Sequence, residues 1–246
     1  MISVCIPTYN GEKYIKEQIN SILPQLSLTD EIIISDNYST DNTLAVIKEI
    51  NDDRIKVYLY SPEKNVQSKI NTLTKVSLNV QNALAKATGD YVFLSDQDDV
   101  WLEGRVSETM PLLKSDKATV VVCNCKVVDE NNRTLIESYF SYIEPSASIL
   151  RTFQKSSFHG CCMAFNRFVI NKASPFPKYA VGHDLWLGVV GAYYGQVHFI
   201  DKPLVLYRRH SSTVTTTGFD SKRTFYDKVK YRVLILLSIF KGIILK

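Results

Sequence analysis

Short apolar runs alternate with amphipathic stretches through the first 114 residues. Ile2 to Pro7 is an apolar run that stops at the polar turn Thr8-Tyr9-Asn10-Gly11. From Glu12 to Leu26, apolar residues at Tyr14, Ile15, Ile19, Ile22 and Leu23 keep helical spacing. A second run, Glu31 to Ser35, ends in Asp36-Asn37-Tyr38-Ser39-Thr40-Asp41, and Leu44, Val46, Ile47 and Ile50 mark the next helix. Ile55 to Leu59 is a third strand. A polar connection, Ser61 to Ser68, precedes a helical stretch that ends near Ala87, with Gly89 as its predicted C-cap. Tyr91 to Leu94 is the fourth strand, and it runs directly into Ser95-Asp96-Gln97-Asp98-Asp99-Val100-Trp101.

This order, β-α-β-α-β-α-β, predicts a parallel, right-handed α/β sheet. Parallel topology brings the loops after its strands, at Tyr9-Asn10, Asp36-Asn37 and Asp96 to Asp99, to one edge, where such sheets bind ligands. After Lys114 the pattern becomes mixed. Thr119 to Val128 reads as a long strand, Asp129 to Arg133 as a turn and Phe158 to Phe165 as a strand. Gly182 to Tyr194 reads as a helix, and Val197 to Ile200 and Pro203 to Tyr207 as two further strands. No repeat, low-complexity tract or domain linker stands out.

The chemistry concentrates where the fourth strand ends. Asp96, Asp98 and Asp99 place three carboxylates in four positions. Such a cluster repels itself, and burial raises the cost. A hard divalent cation, Mg²⁺ or Mn²⁺, removes that cost, whereas a solvated acidic turn is the plain alternative. No Gly-x-Gly-x-x-Gly follows the first strand and no Walker Gly-Lys-Ser/Thr occurs, so neither a dinucleotide site nor a P-loop is indicated.

Composition narrows the classes further. An apolar fraction of 45% in 246 residues suits one large domain with a real core, or one domain with a small appendage. The net charge of +4, from 29 basic and 25 acidic residues, is too mild to argue for nucleic acid. Five cysteines, Cys5, Cys123, Cys125, Cys161 and Cys162, lie in apolar stretches without framework spacing, which points to reduced thiols and a cytosolic setting. Met1-Ile2-Ser3-Val4 enters a strand with no basic region ahead of it, so no signal peptide is read. The stretch Phe225 to Lys246 differs from the rest. Val233 to Phe240 is apolar and flanked by Lys228, Lys230, Arg232, Lys241 and Lys246. It is too short to span a bilayer, which takes about 20 residues. Two readings fit: an interfacial helix with its basic residues on anionic headgroups, or a terminal helix packed on its own domain or a partner.

Five motifs now stand in sequence order: Pro7-Thr8-Tyr9-Asn10-Gly11, Asp36-Asn37-Tyr38-Ser39-Thr40-Asp41, Ser95-Asp96-Gln97-Asp98-Asp99-Val100-Trp101, Gly182-His183-Asp184-Leu185-Trp186 and Tyr207-Arg208-Arg209-His210. Together they resemble the family 2 inverting glycosyltransferases of the GT-A fold, over roughly Met1 to Val214. The third and fourth look most like bacterial rhamnosyltransferase-type members that build surface polysaccharides, capsule and lipopolysaccharide among them. The resemblance implies a GT-A domain over residues 1–214, with a nucleotide-sugar-binding half (1–114), a mixed acceptor-binding half (115–214) and a separate C-terminal segment (215–246).

The resemblance also implies roles. Pro7, Thr8, Tyr9 and Asn10 match the turn that holds the nucleotide base. Asp36 matches the acid that accepts N3–H of uracil or thymine, a role only an acceptor can fill. Asp96 matches the acid near ribose and metal, and Asp98 the direct ligand to Mn²⁺ or Mg²⁺. Asp184 matches the base that deprotonates the acceptor hydroxyl; read alone, it is equally an acid at a helix N-terminus. Arg208 and His210 match the pair that approaches the diphosphate or metal. His183 shapes the acceptor site in this scheme, and Trp101 and Trp186 either stack on sugar faces or belong to the core. The implied partners are a UDP- or TDP-sugar and a saccharide or lipid-linked oligosaccharide acceptor. The implied location is the inner face of the cytoplasmic membrane.

Two departures from the family pattern matter. Tyr38 stands where many relatives have Gly, which changes the backbone needs of that turn. The stretch Val66 to Val76 is longer than usual, with Lys75 in place of a Gly, so sugar selection there is open. Two other functions compete. Asp96-Gln97-Asp98-Asp99-Val100 fits the nucleophile motif of haloacid-dehalogenase-like phosphohydrolases, but that motif belongs on a first strand. A nucleotide-sugar-binding module without turnover would not need both Asp98 and Asp184.

Overall fold

The computed structural model describes residues 1–61, 72–152, 155–177, 182–210 and 225–244. Most of the connection from Ser61 to Ser68, the start of the long loop at Val66, and residues 211–224 lie outside the described residues. Four strands, β1 (Ile2–Thr8), β2 (Glu31–Asp36), β3 (Ile55–Leu59) and β4 (Tyr91–Leu94), form the parallel half in the order β3-β2-β1-β4. Helices α1 (Ile15–Ile22), α2 (Thr43–Ile50) and α3 (Thr72–Lys86) connect them. β2 is buried along its whole length, as expected of a central strand covered on both faces, whereas β3 is largely exposed at the sheet edge.

The remaining strands turn the sheet mixed. They are β5 (Val100–Trp101), β6 (Ala118–Val128), β7 (Thr134–Ile136), β8 (Met163–Asn166) and β9 (Gly195–Arg208). The order continues β4-β8-β6-β9-β5, with β7 on β6. β8 runs antiparallel to both β4 and β6, and β9 runs parallel to β6. Helices α4 (Arg105–Leu113), α5 (Tyr139–Ile143), α6 (Ile149–Thr152), α7 (Arg167–Ala173) and α8 (His183–Tyr194) flank this half. α8 is buried from Leu185 to Gly191, which explains why its sequence is apolar all round.

Three expectations change. The strand expected from Phe158 to Phe165 is confined to β8, because Gly160–Cys162 coils into a 3₁₀ turn. The two strands expected around Val197 and Pro203 are one, since β9 continues past Asp201 and Lys202 with irregular register opposite Cys123 to Cys125. Gly89 is not a helix cap. It donates its N–H to Ser3 Oγ at 2.8 Å, and a Cβ there would stand 2.7 Å from the Met1 carbonyl.

Both tryptophans are core. Trp186 is 1% exposed and donates Nε1–H to the Ala173 carbonyl at 3.0 Å. Trp101 is 3% exposed and packs on Phe93, with ring centroids 5.5 Å apart. Neither ring has a face open to a sugar, so the stacking role is corrected to packing. The C-terminal helix α9 (Phe225–Ile239) continues as a π-turn over Phe240–Ile244. Ile235, Ser238 and Ile243 are buried, and Gly242 passes against the Trp186 ring and Pro177.

Candidate active site

The C-terminal edge of the parallel strands carries the loops named from sequence, and hydrogen bonds lace the first two together. Thr8 and Asp36 are register partners on β1 and β2. The Asp36 carboxylate is fully buried and accepts from Thr8 Oγ1 at 2.8 Å, Ser39 N at 2.8 Å and Ser39 Oγ at 2.6 Å. A carboxylate has about four acceptor positions, so one is left. Asn10 N donates to Ser39 Oγ and Asn10 Oδ1 accepts from Thr40 N, at 2.9 and 2.8 Å. Pro7 and Thr8 therefore lie within the sheet edge, while Tyr9 and Tyr38 expose their rings beside it. Tyr38 adopts φ +55°, so the turn keeps the left-handed backbone that a Gly would take freely.

Gln97, which sequence reasoning did not single out, closes the third loop onto the first. Its Oε1 accepts Tyr9 N at 2.9 Å, and its Nε2 donates to Tyr9 O at 3.1 Å. The side chain thus mimics a strand partner.

The acidic cluster is a region of unresolved charge. Burial, and then the charges of Asp98 and Asp184, push the Asp96 carboxyl up to about 7. Burial, and then Asp98 and Asp96, push Asp99 well above the usual carboxylate range. Asp99 Oδ1 accepts Arg208 N at 2.9 Å, while its buried Oδ2 has no protein partner. Asp98 Oδ2 lies 2.8 Å from His210 Nε2. These oxygens and an imidazole suit a hard divalent cation, and the orphaned oxygen and mutual repulsion are what such an ion relieves. Asp96, Asp99 and Cys161 can also bring ligand atoms within 4.8 Å of one another. The Cys161 thiol is pushed far up by burial and is a soft donor, so it fits that ion poorly. All five cysteines are free and buried, as expected of packing thiols.

Asp184 belongs to this cluster electrostatically, since its charge helps to raise Asp96. It sits in the first turn of α8, with Oδ1 accepting the N–H of Leu185 at 2.8 Å. Gly182 precedes the helix at φ +122°, and a Cβ there would meet Asp184 Oδ1 at 2.7 Å. Only glycine permits this entry. His183 is half-buried next to Asp184, with its pKa lowered by burial against the opposing pull of that carboxylate. A second histidine, His159, joins them from the segment His159-Gly160-Cys161-Cys162, which the sequence places beneath the acceptor site without giving the histidine a role of its own. His159 packs against Tyr139 and Tyr207, with ring centroids at 5.6 and 4.6 Å. Its Nε2 is sealed from solvent without a partner. Burial, opposed by Asp184 and reinforced by His183, brings its pKa down to about 4.

Arg208 departs from expectation. It is 3% exposed, and its guanidinium is committed to protein: Nη2 to Glu17 Oε2 at 2.6 Å, Nε to the Asp98 carbonyl at 2.9 Å and Nη1 to the Glu130 carbonyl at 3.4 Å. The role of approaching a diphosphate is corrected to one of holding the acidic loop. The sites named on Asp36, Asp96, Asp98, Asp184 and His210 do stand on one edge, reached from β1, β2, β4, α8 and the end of β9.

Comparison with known proteins agrees with this architecture. The dTDP-rhamnosyl transferase RfbG of Shigella flexneri is 26% identical over 232 residues, covering 89% of this chain and 76% of that one. The GalNAc(5)-diNAcBac-PP-undecaprenol β-1,3-glucosyltransferase of Campylobacter jejuni is 28% identical, covering 88% of this chain and 67% of that one. The fold is shared with a crystal structure of TarS 1–349 from S. aureus in complex with UDP-GlcNAc. That match has a TM-score of 0.67 at 21% identity and covers 96% of this chain and 67% of that chain. Fold and relatives together identify the α/β architecture as that of GT-A glycosyltransferases with homologues in bacterial polysaccharide biosynthesis. The model of the family described as "Glycosyl transferase family 2" matches residues 3–173, and the chain belongs to that family.

Proposed function

We propose that this chain transfers a sugar from a UDP- or TDP-linked donor to a saccharide acceptor with inversion at the anomeric carbon. The observation that carries the reading is the convergence of Asp96, Asp98 and Asp99 with Asp184 at one sheet edge, close enough that Asp184 contributes to the upward shift of Asp96. The laced loops from Thr8 to Asn10 and Asp36 to Thr40 form a seat for a pyrimidine nucleotide. Asp36 is covered by Thr8 and Ser39, so its fourth acceptor position would receive an imide N–H only once the Asp36–Thr40 turn opens to admit the base. Asp96, Asp98 and His210 would hold Mn²⁺ or Mg²⁺, whose charge offsets that of the departing diphosphate.

Asp184 supplies the other half of the chemistry. Its carboxylate takes the proton of the acceptor hydroxyl while the oxygen bonds to the anomeric carbon and the bond to the diphosphate breaks. Burial lowers the pKa of His183 and brings that of His159 down to about 4, and Asp184 is the carboxylate that stands beside them on the acceptor side. A lipid-linked oligosaccharide is the acceptor class that the relative named for an undecaprenol substrate favours. Contact with the membrane's inner face fits the same picture. Along α9 and into the π-turn after it, Val229, Val233, Leu236, Leu237 and Phe240 form an exposed apolar stripe opposite the docked face, beside exposed Arg232 and Lys241. Among the described residues no helix is long and apolar enough to cross a membrane.

The competing phosphohydrolase reading fails on topology and family. Its nucleophile motif would sit on the fourth strand in sequence, and the family match is to glycosyltransferases. The test is incubation with UDP- and TDP-sugars, Mn²⁺ and saccharide acceptors, followed by NMR of the new linkage. The expected product carries the anomer opposite to the donor's; retention, or donor hydrolysis without transfer, would contradict the reading.

A further inference from the structure

The Arg208 guanidinium raises a question of charge. It is a buried cation beside the carboxylates that are proposed to hold a metal. Its Nε already bonds the main-chain carbonyl of Asp98, at 2.9 Å. An arginine fork pairs most strongly with a carboxylate through two parallel bonds. Left to itself, this guanidinium would turn to the side chain of the residue whose carbonyl it holds. That contact would occupy the oxygens a cation needs.

Glu17 prevents it. Its Oε2 takes Arg208 Nη2 at 2.6 Å, the shortest of the three protein contacts of that guanidinium. Glu17 lies on α1 one turn beyond Tyr14, so both present the same helix face. The Tyr14 ring lies under the Arg208 guanidinium at 4.7 Å and against the His210 ring at 5.0 Å. The second Glu17 oxygen accepts from Asn132 Nδ2 at 3.3 Å, and Lys13 pairs with Glu130 at 3.1 Å. The turn after β6 is thereby pinned over the same helix. Arg208 is thus held from below by an aromatic face and from the side by a carboxylate.

We propose that Glu17 is a positioning residue for the metal-binding loop. By engaging Arg208 it directs that cation to the Asp98 backbone and keeps it off the Asp98 carboxylate, whose Oδ2 faces His210 Nε2 at 2.8 Å, so that a divalent cation competes with His210 and not with a buried guanidinium. The inference rests on the metal reading above, and the test separates the two. Glu17→Gln keeps the size of the side chain and removes its charge. Mn²⁺ alone, titrated into the full chain and followed by electron paramagnetic resonance, should bind Glu17→Gln about tenfold more weakly than the parent, the loss typical of a disturbed outer-shell partner. Glu17→Asp, which restores the charge on a shorter stem, should recover part of that loss.

Hydrogen exchange of the metal-free proteins supplies the readout that does not depend on metal. Amides from Asp96 to Trp101 should exchange faster in Glu17→Gln, with exchange in β2 unchanged. Parental Mn²⁺ affinity in Glu17→Gln, or parental exchange in that loop, overturns the proposal. A parent that binds no Mn²⁺ overturns the metal reading and the cation-sparing role with it. The exchange comparison then decides whether Glu17 still holds the loop.

Discussion

Glu31, at the start of β2, and the acidic loop after β4 treat carboxylate charge in opposite ways. Glu31 is 2% exposed. Burial alone would raise its pKa, yet hydrogen bonds from Lys56, Ser3 and Thr88 outweigh it and bring the value down to about 2. Nearby, Asp30 accepts the N–H of Ile2 at 2.7 Å. In the loop after β4, Asp96 is driven up to about 7, and Asp99 keeps a buried oxygen with no partner. Glu31 and Asp36, at the two ends of β2, are both satisfied by hydrogen bonds, whereas Asp96 and Asp99, in the loop after β4, are not. Satisfied acids hold a fold together, whereas unsatisfied acids gathered at a ligand-binding edge are held against their own repulsion. That cost is what a bound cation and substrate are expected to relieve.

The largest effect should come from the base beside the unsatisfied acids. Asp184→Asn preserves the shape and the bond to Leu185 N but removes basicity. Its kcat should fall about 10²–10⁴-fold, with donor affinity close to parental. Steady-state kinetics with calorimetry of the donor check this; near-parental turnover would remove Asp184 from the chemistry.

Neutralising one acid of each kind should change stability in opposite directions. Glu31→Gln should lose about 1–3 kcal/mol at pH 7, because donors that faced a carboxylate then face an amide. The folded pKa of Glu31 is depressed, so its contribution is present above its ordinary value of 4.5 and lost as pH falls toward about 2. The difference between parent and Glu31→Gln should shrink over that window. Asp96 has a raised pKa, so ionisation there costs stability as pH climbs from its ordinary 3.8 through about 7. Metal-free Asp96→Asn should melt above the parent at pH 8, with the gap closing toward pH 4. Thermal melts across pH measure both; a destabilised Asp96→Asn would break the contrast between the two regions.

The smallest effect lies away from both regions. Leu236→Ser combined with Phe240→Ser interrupts the apolar stripe of α9 without touching buried Ile235 or Ile243. Sedimentation with phosphatidylglycerol vesicles should show weaker binding and unchanged donor affinity. Unchanged vesicle binding would favour a partner protein on that stripe.

Much of this arrangement was legible in sequence, for physical reasons. The parallel half declares itself because each short apolar run ends at a polar turn, and parallel topology then brings those turns together. The acids at Asp96, Asp98 and Asp99 are visible because clustered carboxylates after an apolar run are costly, whereas Asp184 stands out only through the family resemblance. Other features are set by contacts far apart along the chain. Glu17 and Arg208 are separated by 191 residues, and nothing local marks either as the other's partner. The segment that carries His159 is placed near the acceptor site by sequence, but the histidine's own part is seen only in the rings around it and its sealed Nε2. Trp101 and Trp186 suit either a sugar face or a core, and only their burial decides. Asp201 and Lys202 look like a strand break, yet pairing with β6 carries β9 across them.

The central claim is that the unsatisfied acids form a cation-dependent donor site. Calorimetric titration of UDP or TDP into the parent and Asp98→Ala, with and without Mn²⁺, tests it most directly. The account predicts that Mn²⁺ strengthens nucleotide binding in the parent and has no effect in Asp98→Ala, while metal-free binding is similar in both. Equal enhancement by Mn²⁺ in the two proteins, or none in the parent, would contradict it.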